Sequence, residues 1–223
     1  PVGHVWTEDE MDQLFSICKR HGVLIISDEI HQDLVAGPLP FTSALTVSNG
    51  AYANNIIAMS SLSKSFNMAS LHHAEVIIPN EDLRRQYNAC KSLVYHTDSD
   101  VLAEAAITAA YTHAEAEMWL TDLLTVVKEN YEYMCSHLLQ ALPELRISPM
   151  DGTYLAWIDF CAYVKAENMH DVFENQCRIA PSFGEWFGGE SYATFVRLNL
   201  ATSLENIKIA TNRIIQHVHP SHK

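Results

Sequence analysis

The sequence predicts an α/β fold, in which part of a mainly parallel sheet with flanking helices is followed by a smaller α+β C-terminal domain. Three apolar runs have the composition of buried strands, at residues 23–28, 55–60 and 75–79. Helical periodicity then dominates residues 80–142, and strand patterns return after Pro143. The first run is apolar from Val23 to Ile26 and ends in the polar residues Ser27 and Asp28, which is typical of a strand buried on both faces in a parallel sheet.

Polar caps and breakers predict where the helices begin and end. Thr7 and Glu10 have the spacing of a capping box, and Gly22 provides the stop signal for that helix. Further helix starts are predicted at Asn80, near Ser99 and Asp100, and at Ser203. A long apolar stripe predicts a connecting helix over residues 114–143. Residues 1–113 then belong to a large domain, and residues 144–223 form a small C-terminal domain with strands at 153–160 and 193–200.

Composition argues against several classes of function. The net charge is −13, from 27 acidic and 14 basic residues, which opposes binding to nucleic acid. The five cysteines include no CxxC pair, so we expect a reducing, cytoplasmic location and no cysteine zinc site. No apolar run reaches the roughly 18 residues of a membrane-spanning helix. The 12 histidines lack metal-ligand spacing, and the tail histidines are expected to be solvated: His217, His219 and His222.

Polar residues follow two of the predicted strands. Asp28 ends the first apolar run, and Lys64 lies in a serine-flanked loop after the second. Because the carboxyl ends of parallel strands meet at one edge of a sheet, and open α/β sheets bind ligands there, the sequence predicts a ligand site at this edge. Without further information, a lone lysine in a loop such as Lys64 is usually a solvated charge, and Asp28 could merely cap a loop.

Four segments, in order, resemble the signature segments of the fold-type I pyridoxal-phosphate (PLP) enzymes, which have the aspartate aminotransferase fold. They are residues 27–34 (SDEIHQDL), 61–69 (SLSKSFNMA), 151–157 (DGTYLAW) and 196–201 (VRLNLA). Residues 1–3 (PVG) match a further N-P-x-G loop whose asparagine is missing. The closest pattern is that of the cystathionine β-lyase-like C–S lyases. On this resemblance, residues 1–113 are the C-terminal part of the PLP-binding domain.

The resemblance assigns Lys64 as the lysine that bonds PLP and Asp28 as the partner of the pyridine nitrogen. PLP chemistry needs an amine that bonds the cofactor and then carries a proton. It also needs a carboxylate that keeps the ring nitrogen protonated, since the ring must accept electrons from the substrate. An ion pair with that nitrogen would explain an acid at the end of an apolar strand.

The same resemblance assigns four further site residues. His31 is expected near the phenolic oxygen of the cofactor, and Ser61 is expected to bind its phosphate; a packing histidine and an ordinary loop serine are the alternatives. Arg197 interrupts an apolar strand, where a planar anion bound bidentately would offset its burial. The resemblance makes that anion the substrate α-carboxylate, and an internal ion pair is the alternative. Tyr154 is expected to line the substrate site, although core packing explains it equally well.

The resemblance implies a C–S β-lyase that cleaves L-cystathionine or a related cysteine S-conjugate to a thiol, pyruvate and ammonia. His31 favours this reaction, because many aminotransferases have tyrosine at that position. A class I/II aminotransferase is the first alternative, and a catalytically silent or regulatory module on the same fold is the second. Three positions depart from the family pattern, namely Ser70, His72 and Ser182.

The family residues that stack on the PLP ring and clamp its phosphate would precede Pro1. We therefore expect the chain to be the C-terminal portion of a longer protein and to be inactive by itself. The complete protein is expected to be a homodimer, as family members are, and to act on a small amino-acid substrate.

Overall fold

The structure is a computed structural model that describes residues 2–94 and 100–218. Four residues named above lie outside the described residues: Pro1, Ser99, His219 and His222. The chain forms two compact units. The lysine unit, which contains Lys64, comprises Val5–Val35 and Leu39–Thr121. The arginine unit, which contains Arg197, combines the N-terminal residues up to His4, the segment Ala36–Pro38 and the chain from Asp122 onward.

The lysine unit consists of helices and one small sheet. Its helices are α1 (Glu8–Arg20), the single turns α2 (Val47–Gly50) and α3 (Leu62–Ser65), α4 (Glu81–Leu93) and α5 (Val101–Thr112). Its strands are β1 (Ile25–Asp28), β2 (Ile56–Ser60) and β3 (Glu75–Ile77), with 3-10 turns at Ala53–Asn55 and Ala69–Leu71. Helix α6 (Ala114–Ala141) begins in this unit and continues into the arginine unit.

The predicted caps begin their helices as expected. Thr7 Oγ1 accepts a hydrogen bond from the Glu10 amide, and the Glu10 carboxylate accepts one from the Thr7 amide, so the capping box is complete. Asn80 caps α4 and Asp100 caps α5 through their side-chain oxygens. These bonds satisfy amides that have no partner within the helix.

The sheet of the lysine unit is mixed, with the order β1-β2-β3. Strand β1 pairs with β2 in parallel, as predicted, whereas β2 pairs with β3 in the antiparallel direction. The expectation of a mainly parallel sheet therefore holds for one of these two pairings. Residues 61–74 between β2 and β3 form short turns instead of the crossover helix that a parallel return usually requires.

The core of the lysine unit lies on one face of this sheet. Met11 and Phe15 of α1 pack in a cluster with Ile56 and Ala58 of β2. Burial on both faces is wrong for β1 within the described residues, because Ile26 is 62% exposed. An apolar run indicates that its side chains tend to be buried. Whether each face of the strand is covered depends on the helices that pack against the sheet.

The arginine unit is built on an antiparallel sheet with the order β4-β5-β7-β6. Its strands are β4 (Arg146–Ile147), β5 (Leu155–Asp159), β6 (Ser182–Phe183) and β7 (Phe195–Asn199). Its helices are most of α6, the single turn α7 (Glu185–Gly188) and α8 (Leu204–His217), with a π-helical turn at Asp171–Gln176 and 3-10 turns at Ala166–Asn168 and Gly189–Tyr192. The sequence did not predict β4 and β6, because two residues are too few to show an alternating pattern.

Asn130 interrupts the apolar stripe of α6 and is fully buried. Its Nδ2 donates to the carbonyl oxygens of Leu200 at 2.9 Å and Thr202 at 2.8 Å, just beyond β7. The Leu200 carbonyl oxygen also accepts from the Thr202 amide at 2.9 Å, so Asn130 supplies a second donor there and a side-chain donor to Thr202. Asn130 therefore fastens α6 to the end of the strand that carries Arg197.

Two chain segments hold the loop that precedes Tyr154. The amides of Asp151 and Gly152 donate to the carbonyl oxygen of Gly3, at 3.0 and 2.9 Å. The Asp151 carbonyl oxygen in turn accepts from the amide of Gly37 at 2.8 Å. A Cβ atom at Gly37 would lie 2.9 Å from the Cα atom of Asp151, so the close approach requires glycine.

We predict that Asn130→Ala lowers the free energy of unfolding by about 1–3 kcal/mol, because the carbonyl oxygens of Leu200 and Thr202 both lose the hydrogen bond from the Asn130 side chain. Denaturant titration of the variant measures the change. The matched control is Glu129→Ala, which alters the exposed neighbour on the same helix and should leave the midpoint nearly unchanged. Equal effects of the two variants would show that the amide bridge contributes nothing.

Candidate active site

Asp28 lies where the sequence predicted, at the edge where two parallel strands end. It pairs in register with Met59, and the next amide, that of Glu29, donates to the Met59 carbonyl oxygen at 2.7 Å. Asp28 is exposed, and its Oδ1 accepts from the Ile30 amide at 3.2 Å. Among the described residues its Oδ2 has no hydrogen bond, so one carboxylate oxygen is available to a ligand.

Glu29, beside Asp28, is the buried acid of this edge. Its carboxylate accepts from the Ser27 hydroxyl at 3.0 Å, the Ser43 hydroxyl at 2.8 Å and the Ala44 amide at 2.8 Å. Burial of a carboxylate is tolerated when hydrogen bonds replace its hydration. Glu29 is therefore a structural acid that ties the end of β1 to residues 43–44. No local pattern indicated which of the adjacent acids would be buried.

Lys64 lies on α3, directly after β2. Ser61 caps this turn by accepting from the Ser63 amide at 3.1 Å, while its hydroxyl donates to the His73 carbonyl oxygen at 2.7 Å. Lys64 is half-buried, and no hydrogen bond or ion pair holds its ammonium group within the described part of the chain. The backbone of the lysine is thus fixed while its amine is available.

Ser61 and His31 have contacts that bear on their predicted roles. The Ser61 hydroxyl has one proton, and the His73 carbonyl oxygen already accepts it. Phosphate binding by Ser61 would require that bond to be exchanged, and the role stays a prediction. His31 is half-buried in the loop after β1, where its carbonyl oxygen accepts from the Leu34 amide. Its approach to a cofactor also stays a prediction.

Asp33 joins the lysine turn to α5. Its Oδ2 accepts from the Ser65 hydroxyl at 2.6 Å and from the Tyr111 hydroxyl at 2.9 Å. Burial, together with the negative charge of Asp33, raises the pKa of Tyr111 to about 12, which keeps its hydroxyl protonated as a donor. The sequence contained Asp33 within a recognised motif, but nothing in the spacing indicated these two partners.

Arg197 lies on β7 between Trp157 of β5 and Ser182 of β6. One guanidinium nitrogen, Nη2, donates to the Ser182 hydroxyl at 3.4 Å, and the Phe187 ring lies 4.5 Å from the guanidinium carbon. The Nε atom is buried and has no hydrogen-bond partner among residues 2–94 and 100–218. Within the described residues no carboxylate pairs with Arg197, so the alternative of an internal ion pair is not observed there.

Tyr154 lies within the electrostatic influence of Arg197. Burial raises the pKa of the Tyr154 hydroxyl, and the positive charge of Arg197 opposes that shift. Thr153, immediately before it, has a φ of +64°, which is unusual for a β-branched residue. Such strain is often found beside functional sites, where the surrounding structure holds the backbone in place.

His170 anchors the turn that carries Phe187. Its ring lies against Phe183 with centroids 3.7 Å apart, and its Nε2 lies 3.0 Å from Glu185 of α7. Its Nδ1 lies 3.3 Å from Glu174. The hydrogen bond with Glu185, and then that with Glu174, raise the pKa of His170 above its ordinary value.

Comparison with known proteins decides the family. A family model described as aminotransferase class I and II matches residues 1–214. The chain belongs to the aminotransferase class I and II family. This finding confirms the predicted family resemblance and fold.

Several known proteins are similar to this chain in sequence or in structure. The chain is 37% identical over 201 residues to protein MalY of Escherichia coli, covering 89% of this chain and 50% of MalY. It is 29% identical to cystathionine beta-lyase PatB of Bacillus subtilis, covering 96% of this chain and 54% of PatB. The crystal structure of cystalysin from Treponema denticola, which contains a pyridoxal 5'-phosphate cofactor, matches with a TM-score of 0.91 at 27% identity and covers 97% of this chain and 54% of cystalysin. The chain spans about half the length of these relatives.

Two further observations concern the part of this family member that the structure describes. None of its helices is both long and apolar enough to cross a membrane. Residues 2–94 and 100–218 contain no group of three or more His, Cys, Asp and Glu side chains that could hold a metal ion.

We predict that His170 makes the stability of this unit depend on pH. Because its folded pKa is raised, the ion pairs with Glu174 and Glu185 stabilise the fold fully below the ordinary pKa of histidine, and this contribution is lost as pH rises through the raised value. The thermal unfolding midpoint, measured at a series of pH values, should show this loss in the original protein and not in His170→Gln. The control is His137→Gln, because no acid of the described chain pairs with His137, and this variant should retain the loss. A retained loss in His170→Gln would contradict the prediction.

Proposed function

We propose that the complete protein is a PLP-dependent C–S β-lyase that cleaves L-cystathionine or a related cysteine S-conjugate to a thiol, pyruvate and ammonia. The observation that carries the proposal is the Arg197 guanidinium, which has a buried Nε without a partner and no acid beside it in the described chain. A planar carboxylate fits those donors, and the α-carboxylate of an amino acid is such a group. The lyase reaction is supported by the similarity to PatB and by His31.

The residues of the lysine unit fit PLP. Within the described chain, the Lys64 amine has no partner and its helical turn is held at both ends. Asp28 offers a carboxylate oxygen at the edge where β1 and β2 end. We assign Lys64 to the covalent bond with PLP, Asp28 to the pyridine nitrogen, His31 to the phenolic oxygen and Ser61 to the phosphate. When bound, PLP supplies an electron sink for negative charge at the substrate α-carbon.

The protein's own groups then have separate tasks. Arg197 binds the α-carboxylate, and Tyr154 lines the same part of the substrate site. With the cofactor bound, the Lys64 amine would remove the proton from the substrate α-carbon. The negative charge of Asp28 holds a proton on the ring nitrogen and so maintains its electron demand. Breakage of the bond between the β-carbon and sulfur releases the thiol, and hydrolysis of the remaining fragment gives pyruvate and ammonia.

An aminotransferase is the second candidate, because the family model is described by that activity. The two reactions share carboxylate binding by Arg197 and removal of the α-carbon proton by Lys64. They differ in the fate of that proton and of the side chain. A β-lyase expels a thiol, whereas an aminotransferase retains the side chain and passes the amino group to a keto acid.

We also propose that the complete protein is a cytoplasmic homodimer and that this chain alone is inactive. Exposed apolar side chains on α4 and α5 support an interface, since Leu93 and Val101 are 79% and 77% exposed. The resemblance assigns the residues that stack on the PLP ring and clamp its phosphate to an upstream segment. This chain alone would bind the cofactor without them.

We predict that the complete protein releases pyruvate from L-cystathionine without any keto acid. The reason is that elimination of the thiol needs no amino-group acceptor. A coupled pyruvate assay measures the rate, and Lys64→Ala should reduce it to background because no amine remains to remove the proton. Product formation that depends on an added keto acid would establish transamination instead.

We predict that Arg197→Lys raises the KM for the amino-acid substrate by about tenfold or more, because an ammonium group cannot bind a carboxylate bidentately. Steady-state kinetics of the complete protein measure the effect. Arg213→Lys is the matched control, since that guanidinium bonds only the Arg178 carbonyl oxygen among the described residues. Similar KM values for both variants would exclude Arg197 as the carboxylate anchor.

A further inference from the structure

The lysine turn α3 is too short to be stable by itself. It spans Leu62–Ser65, and the Phe66 amide closes it by donating to the Leu62 carbonyl oxygen at 2.9 Å. A single helical turn fixes several backbone angles for one hydrogen bond, which is unfavourable without external support. The position of the Lys64 backbone must therefore depend on side chains at the two ends of the turn.

Serine hydroxyls supply that support at both ends. At the start, the Ser61 hydroxyl donates to the His73 carbonyl oxygen at 2.7 Å. At the end, the Ser65 hydroxyl donates to Asp33 Oδ2 at 2.6 Å, and Ser65 is fully buried. The second bond is the stronger kind, because its acceptor is a carboxylate.

Asp33 is itself held by α5 and by aromatic packing. Tyr111 donates to the same Oδ2 atom at 2.9 Å. Phe66, the residue after Ser65, packs edge-on against Tyr111 with centroids 5.6 Å apart and stacks on Trp119 at 5.8 Å. The loop after β1, the lysine turn and α5 thus meet at one carboxylate.

We propose that Asp33 is a positioning residue for Lys64, acting through Ser65 and supported by Tyr111. This inference rests on the proposed function, in which Lys64 bonds the cofactor and moves the substrate proton. Asp33 need not touch cofactor or substrate. It sets where the turn ends and therefore where the lysine side chain begins.

The same unit contains a matched control cluster. Asp12 Oδ1 accepts a hydrogen bond from the Ser48 hydroxyl and another from the Tyr52 hydroxyl, the latter at 2.8 Å. This cluster has the same chemistry as that of Asp33, Ser65 and Tyr111. It joins α1 to α2 and the residues after it, without involving the lysine turn. Substitutions in this cluster therefore measure how much stability is lost when an aspartate that accepts hydrogen bonds from a serine and a tyrosine is replaced.

The experiment compares Asp33→Ala, Asp33→Asn and Tyr111→Phe with Asp12→Ala, Asp12→Asn and Tyr52→Phe in the complete protein loaded with PLP. We expect Asp33→Ala to lower kcat about tenfold or more, since displacement of a reacting group by about 1 Å can cost a factor of one hundred. The substrate KM should change little. Asp33→Asn keeps an acceptor oxygen without the charge and should recover part of the rate.

A spectroscopic readout tests positioning independently of activity. The absorbance of the lysine-bound cofactor should titrate at a different pH in Asp33→Ala, and free PLP should be released faster on dilution. The Asp12 variants should change neither property, even where their thermal midpoints fall equally. If Asp33→Ala fails to fold, Asp33→Asn and Tyr111→Phe decide, because both keep the shape of the original side chain.

Two outcomes separate this inference from the function on which it rests. If Lys64→Ala retains the absorbance of the covalent cofactor bond, the proposed function fails and this inference fails with it. If Lys64→Ala loses that absorbance but the Asp33 and Asp12 variants match in kcat and in cofactor titration, Asp33 is only a structural clamp. In that case the positioning role alone is overturned.

Discussion

The parallel pairing of β1 with β2 is the constraint on which the candidate cofactor site depends. Its register runs from Ile25 opposite Ile56 to Asp28 opposite Met59, so both strands end at the same edge. The lysine turn follows β2 directly and therefore begins beside the residues that follow β1. A shift of the register by one residue would turn the side chains of a strand to the opposite face. The register therefore determines where Asp28 and the lysine turn lie relative to each other.

Three acids follow one another closely at the end of β1, and their surroundings give them different tasks. Glu29 is buried and accepts three hydrogen bonds, Asp33 accepts two at one oxygen, and Asp28 is exposed with one oxygen available among the described residues. Burial of a carboxylate is costly without donors, so the buried Glu29 needs several, and the half-buried Asp33 has two. The structural acids stabilise the edge at which the available acid lies.

The arginine unit holds a cation by a different principle. Phe187 lies against the Arg197 guanidinium and Ser182 accepts from it, so the side chain is oriented without an acid in the described chain. An aromatic ring attracts the cation while leaving its N–H groups in the guanidinium plane free to donate. The chain contains 27 acidic residues, yet within the described residues none pairs with Arg197. Its guanidinium is therefore available to bind an external anion, as the proposed function requires.

Local sequence determined the helix starts at Thr7, Asn80 and Ala114, because caps and periodicity act over a few neighbouring residues. It also determined the positions of Asp28 and Lys64 after apolar strands. Tertiary structure alone decided which adjacent acid is buried, how Asp33 reaches Tyr111 and that Arg197 has no acid beside it in the described chain. It also decided that the face of Ile26 is uncovered there. Those outcomes depend on partners far apart in the sequence, 78 positions for Asp33 and Tyr111, and no local pattern encodes such distances.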